Sequence, residues 1–150
     1  LKKLSDDIFM YYGLGCRSVS KIYLPKDYDL DILFKQVYSW KDIINNNSYY
    51  NNYTYNKTIY LMSDEKFFDN GFLILKESTE IGSPIGAVFF EYYENDNTVI
   101  KSLKKYSEKI QCIVGKNIVE NSVEFGNTQR PSLDDFADKI NTLDFLLKLS

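Results

Sequence analysis

Leu4, Ile8, Tyr11 and Tyr12 recur at helical spacing behind the charged pair Lys2-Lys3, which predicts a first helix through about Tyr12 that Gly13 terminates. Lys21 to Leu24 then reads as a short strand stopped by Pro25. Asp27, Asp29 and Asp31 put acidic side chains where a helix start carries partial positive charge, and Leu30, Leu33, Phe34, Val37, Trp40 and Ile44 mark the buried stripe of the helix that follows. From Asn45 to Tyr60 the chain is rich in Asn and Tyr. Tyr49, Tyr53, Tyr60 and Leu61 fit helical spacing there with no Gly or Pro to interrupt it, so this stretch is expected to be a helix packed through its aromatic rings.

Phe72 to Leu75, Ala87 to Tyr92 and Ile110 to Val114 are short apolar runs bounded by Gly, Pro, Asn or charge, the pattern of strands covered on both faces. Between the last two, Val99 or Ile100, Leu103, Tyr106 and Ile110 follow helical spacing behind Asn97-Thr98. A strand-helix-strand unit of this length favours parallel pairing, so the fold class is α/β, a mostly parallel sheet with flanking helices. Pro131-Ser132-Leu133-Asp134-Asp135 opens a short helix by capping logic, and Leu143 to Leu149 is an apolar tail.

Composition narrows the class. The 150 residues fit one domain that buries roughly two-thirds of its unfolded surface without disulfides or metals. A net charge of −3 gives no general attraction for polyanions, which argues against nucleic acid as a partner. The longest apolar runs fall far short of the roughly 20 residues a membrane span needs, and no secretory signal opens the chain; the expected location is the cytoplasm. The chain contains no histidine, which excludes Ser-His-Asp and Cys-His machinery and removes the commonest zinc ligand, so no metal site is expected. It starts without Met and lacks Gly-x-Gly-x-x-Gly, and is expected to be part of something longer.

The candidate chemistry centres on Gly13-Leu14-Gly15-Cys16-Arg17, which places a thiol on a tight turn just before the strand at Lys21. A cysteine reacts as its thiolate. Gly15 leaves room for backbone N–H groups and a substrate carbonyl to come close, and the Arg17 guanidinium with a helix start after Gly15 would stabilise the anion. The alternatives are a small apolar side chain on a turn for Cys16 and a surface ion pair for Arg17. Cys112, set among β-branched neighbours, is expected inside the sheet, where burial raises a thiol pKa.

In its order of motifs the chain resembles the C-terminal, thiol-bearing part of the aldehyde dehydrogenase superfamily, and most closely the long-chain acyl-CoA reductases of the luminescence type. Tyr11-Tyr12-Gly13-Leu14-Gly15-Cys16-Arg17-Ser18-Val19-Ser20-Lys21-Ile22-Tyr23 looks like the catalytic-cysteine loop and its next strand. Glu80-Ile81-Gly82-Ser83-Pro84-Ile85 is similar to a Glu-Ile-Phe-Gly-Pro-Val block, with Gly82-Ser83 in place of Phe-Gly. Val123-Glu124-Phe125-Gly126-Asn127 resembles the Pro-Phe-Gly-Gly segment at the active-site mouth, with Asn127 in place of the second Gly, and Ala137-Asp138-Lys139-Ile140-Asn141-Thr142-Leu143 parallels the terminal segment.

The resemblance implies an aldehyde dehydrogenase-like catalytic domain and an NADPH-dependent acyl thioester reductase. Cys16 would accept the acyl group, and hydride would then release a long-chain aldehyde. Gly15, Arg17 and Phe125 would surround the substrate and its oxyanion, and Glu80 would contact the nicotinamide ribose, the alternative being a solvated turn carboxylate. In such enzymes the nucleotide-binding half and the oxyanion-hole asparagine lie upstream of the catalytic cysteine, so the chain alone is expected to bind no dinucleotide and to turn over nothing. The implied partners are an acyl-CoA or acyl-protein thioester, an acyl-transferring protein and a further copy of the chain. Two other classes stay open: a non-catalytic module that docks through its aromatic surface, and a thiol acyltransferase that passes the acyl group on without reduction.

Overall fold

Ala87, Val88, Phe89 and Phe90 are buried at four consecutive positions, and because strand side chains alternate, both faces of that strand must be covered. It is an interior strand of a four-stranded sheet, with a neighbour on each side. In the structure, a computed structural model that describes residues 2–115, 119, 122–133, 135–136 and 140–149, β1 (Lys21–Pro25) and β3 (Ile74–Glu77) each pair parallel with β4 (Ala87–Tyr93). The short β2 (Phe68–Asp69) pairs antiparallel with β3, giving the order β1-β4-β3-β2. The fold is α/β with a mixed, mostly parallel sheet.

The helices α1 (Leu4–Phe9), α2 (Leu30–Val37) and α3 (Asn47–Met62) supply much of the core. Asp29 caps α2 by accepting the Asp31 N–H, and Leu30, Leu33 and Val37 are its buried stripe; the helix expected to carry that stripe on to Trp40 and Ile44 ends at Val37, and Tyr38–Asn45 is a 3-10 helix on which both are half-buried. Asn46 caps α3 through the Tyr49 N–H. The aromatic reading of α3 holds for three residues: Tyr49, Tyr53 and Tyr60 are buried, with the Tyr49 hydroxyl donating to Phe72 O and the Tyr53 hydroxyl to Asp69 Oδ1. Leu61, by contrast, is exposed. Gly86, at φ +84°, is required by the approach of α3, since a Cβ there would stand 2.7 Å from Tyr53 Cα. A fourth helix, α4 (Asp96–Lys105), is capped by Asn95 and buries Val99 and Leu103, and α5 is Thr142–Leu147.

Several expectations need correction. The first helix ends at Phe9, because Met10 is already extended (φ −53°, ψ 139°), and Tyr11, Tyr12 and Gly13 then follow one another in the left-handed region. β3 begins two residues later than its apolar run, because Asn70 Oδ1 accepts the N–H groups of Phe72 and Leu73 and holds them in a turn outside the ladder. Ile110 to Val114 is not a strand of the sheet. Its residues are only half-buried, Val114 makes one isolated bridge to Val123, and the apolar side chains line a groove instead. The expected strand-helix-strand unit therefore stops after α4, and the parallel pairing comes from β1 and β3 against β4. Pro131 to Leu133 are not helical; Asp134 and 137–139, from that expected helix and from the terminal block Ala137-Asp138-Lys139, lie outside the described residues.

Candidate functional site

Gly15, Cys16, Arg17 and Ser18 form a tight turn closed by the Ser18 N–H on Gly15 O at 2.9 Å. No helix starts after Gly15, so the thiol receives no helix-terminal field; the turn itself is the source of donors. Its two central N–H groups, those of Cys16 and Arg17, have no hydrogen-bond partner among the described residues, and the Cys16 side chain is exposed. Successive uncommitted N–H groups beside a thiol are what an oxyanion of acyl transfer needs.

One buried residue ties the chain just after the turn to a segment far along the sequence. Asp7 on α1 is 1% exposed, and its backbone oxygen accepts the Val19 N–H at 2.9 Å. Its carboxylate accepts the Gly126 N–H at 2.7 Å and both the N–H and the Oγ1 of Thr128 at 3.0 Å. This holds the segment carrying Phe125 against the segment carrying Cys16. Next in the chain, the Gln129 amide comes close to Gly15, with Nε2 2.9 Å from where a Cβ would be, and donates to Ser18 Oγ at 3.2 Å.

Arg17 turns its guanidinium to other partners. Nη1 pairs with Asp135 at 2.5 Å and Nη2 stands 3.6 Å from the sulfur of Cys112. Burial works against its charge, yet Asp135 and Cys112 together hold its pKa above the ordinary value. Cys112 is thus not inside the sheet. It is half-buried beside Arg17, and burial pushes its pKa up despite the opposing pull of the guanidinium.

A groove of about 660 Å³ runs from this turn across β1 to α4. Cys16 and Arg17 line it from the turn, Ile22 and Val99 add apolar lining from β1 and α4, and Cys112 and Phe125 line it from later segments. Lys21 also lines it, 5% exposed, with its ammonium on Glu91 at 2.9 Å and on Ser78 O, so this cation is already balanced. Ile81 and Gly82 reach the groove while Glu80 is an exposed residue whose N–H is bonded to Ser78 Oγ at 3.1 Å.

Three of the four sequence blocks therefore converge on one groove: the cysteine turn, the loop after β3, and the Phe125 segment. Asp7, Thr128, Gln129 and the Arg17–Cys112 contact were not singled out from the sequence. Asp7 carried a signal, standing one helical turn after Leu4 and beside Ile8 on the apolar side of α1, where an acid demands buried partners. Among the described residues no group of three or more Cys, Asp or Glu side chains could hold a metal ion, and no helix is long and apolar enough to cross a membrane. No known protein family and no curated protein matches the chain in sequence.

Proposed function

We propose that this chain is the thiol-bearing part of an NADPH-dependent acyl thioester reductase producing long-chain aldehyde, with Cys16 as acyl acceptor. The observation that carries the reading is an exposed thiol on a turn whose two central N–H groups have no partner among the described residues, lining a largely apolar groove of about 660 Å³. The Cys16 thiolate attacks the thioester carbonyl carbon and forms a new C–S bond. The turn N–H groups of Cys16 and Arg17 stabilise the oxyanion. Collapse breaks the C–S bond to coenzyme A, which leaves as a thiolate and takes up a proton. No histidine is needed, because a thiol is itself nucleophilic and its leaving group is another thiolate. The apolar lining suits an alkyl chain, and the exposed Lys109 in the lining suits the phosphates of coenzyme A.

The residues of this chain do not fit a nicotinamide dinucleotide. Among the described residues no glycine-rich turn leads from a strand into a helix, and Glu80 offers one exposed carboxylate without a phosphate cradle. The hydride donor therefore belongs, in this reading, to a site outside this chain. The same observation favours a second reading, a thiol acyltransferase without reduction; NADPH-dependent release of aldehyde by the whole protein separates the two. The acyl-transfer half is tested by mixing the chain with a long-chain acyl-CoA and following free coenzyme A. Stoichiometric release that disappears in Cys16→Ala is expected, and release untouched by Cys16→Ala contradicts the proposal.

A further inference from the structure

We infer that Gln129 is a positioning residue for Cys16, holding the thiol's turn in its reactive shape through Gly15 and Ser18. The inference rests on the reading of Cys16 as the reacting thiol. Gly15 does not lie in the left-handed region, so its lack of a side chain is not explained by backbone conformation. A Cβ at position 15 would meet the far end of the Gln129 side chain, Nε2 at 2.9 Å, Oε1 at 3.0 Å and Cδ at 3.2 Å, so the amide would have to shift from its present place. The amide packs close to the first residue of the turn and bonds to the last, Nε2 donating to Ser18 Oγ at 3.2 Å. Cys16 lies between these two fixed points.

Gln129 is itself anchored. Its neighbour Thr128 is fully buried and gives two hydrogen bonds to the Asp7 carboxylate, while Asp7 O takes the Val19 N–H just after the turn. The path Asp7–Thr128–Gln129–Ser18–Val19–Asp7 closes a ring of contacts at the last residue of the turn. A side chain at the end of such a ring sets where the thiol and the two turn N–H groups stand relative to a bound carbonyl. Gln129 does not line the groove, so its effect on chemistry passes through the turn.

The test compares Gln129→Ala, Gln129→Met, Gly15→Ala and the double variant Gly15→Ala/Gln129→Ala in the full chain. The readouts are the iodoacetamide rate at Cys16, the same rate at Cys112, acyl transfer from a long-chain acyl-CoA, and Tm. Gln129→Met keeps the bulk over Gly15 and loses only the bond to Ser18, which guards against a folding failure in Gln129→Ala. The expected result is a loss of about 10-fold or more in Cys16 acyl transfer for each single variant, in the range that small misplacements cost, with Cys112 labelling unchanged. The double variant should be no slower than the slower single one, because both changes disrupt one contact. Gln129→Glu should move the midpoint of the Cys16 alkylation pH profile upward by setting a carboxylate beside the thiol's turn. Wild-type Cys16 rates in Gln129→Ala and Gln129→Met, or independent multiplication of the Gly15 and Gln129 effects, would overturn the inference. Absence of acyl transfer in the wild type, with the alkylation effects intact, would sink the acyl-acceptor reading and leave the positioning role standing.

Discussion

Asp7 Oδ1 accepts two hydrogen bonds from Thr128, one from its N–H and one from its Oγ1, each 3.0 Å long, across 121 residues of sequence. Both residues are almost fully buried, so these bonds cannot be exchanged for water without opening the structure. Thr128→Val keeps the shape and removes one donor to a carboxylate, and should lower stability by about 2 kcal/mol in urea unfolding. Asp7→Ala leaves the Gly126 N–H and both Thr128 donors without their acceptor and should cost more than Thr128→Val. An Asp7→Ala chain as stable as the wild type would show that the clamp does not hold the fold.

Gly86 faces α3 with no room for a methyl group, and its φ of +84° is one that side chains resist. Gly86→Ala should therefore destabilise by about 3 kcal/mol, combining backbone strain with overpacking against Tyr53. Gly71 provides the control, since it shares a positive φ (+94°) but has open space around it. Gly71→Ala should cost only the strain, roughly 1 kcal/mol. Equal losses in thermal unfolding would mean that the close approach of α3 plays no part.

Stability should fall at both ends of the pH scale for identifiable reasons. Burial would raise the Asp69 pKa, but bonds from Lys57, Tyr53 and the Gly71 N–H outweigh it and hold the group below its ordinary 3.8. Its contribution is complete above that value and is lost as pH drops through the lowered folded pKa. At the alkaline end, burial raises the pKa values of Tyr49, Tyr53 and Tyr60 above 10.0. The unfolded chain ionises first there, so stability is lost as pH rises past 10. In urea titrations, Asp69→Asn should flatten the acid limb and Tyr49→Phe the alkaline one, the latter costing about 1 kcal/mol at pH 7 for the bond to Phe72 O. Unchanged limbs in these variants would locate the pH sensitivity elsewhere.

The two thiols should react unequally. Cys16 is exposed, whereas Cys112 is half-buried with its pKa raised by burial and only partly restrained by Arg17. Iodoacetamide at neutral pH should label Cys16 first, with peptide mass spectrometry reporting the order. Arg17→Ala removes the cation beside Cys112 and should slow its labelling further, provided that Asp135 remains close. Faster labelling of Cys112 than of Cys16 would remove the case for Cys16 as the accessible nucleophile.

Elements governed by local rules were legible in the sequence. The acidic start of α2 and its stripe as far as Val37, the aromatic face of α3 and the buried run of β4 follow from periodicity and helix-end charge within a few residues. Ile110 to Val114 was misread because a β-branched run signals burial without saying whether the cover is a neighbouring strand or the wall of a groove. The turn bearing Cys16 was visible through Gly15. What fixes that turn was not, since Asp7, Thr128 and Gln129 come together only through tertiary contacts more than a hundred residues apart. Arg17 adjoins Cys16 in sequence, yet its guanidinium serves Asp135 and Cys112, a choice that depends on where segments far along the chain come to rest.

The central claim is that the sulfur of Cys16 accepts an acyl group, and the direct measurement is peptide mass spectrometry after incubation with a long-chain acyl-CoA. The account predicts a single hydroxylamine-sensitive acyl thioester on the peptide carrying Cys16, retained in Cys112→Ser and lost in Cys16→Ser. Acylation that persists in Cys16→Ser, or a chain that stays unmodified while Cys16 is fully alkylated by iodoacetamide, would contradict it.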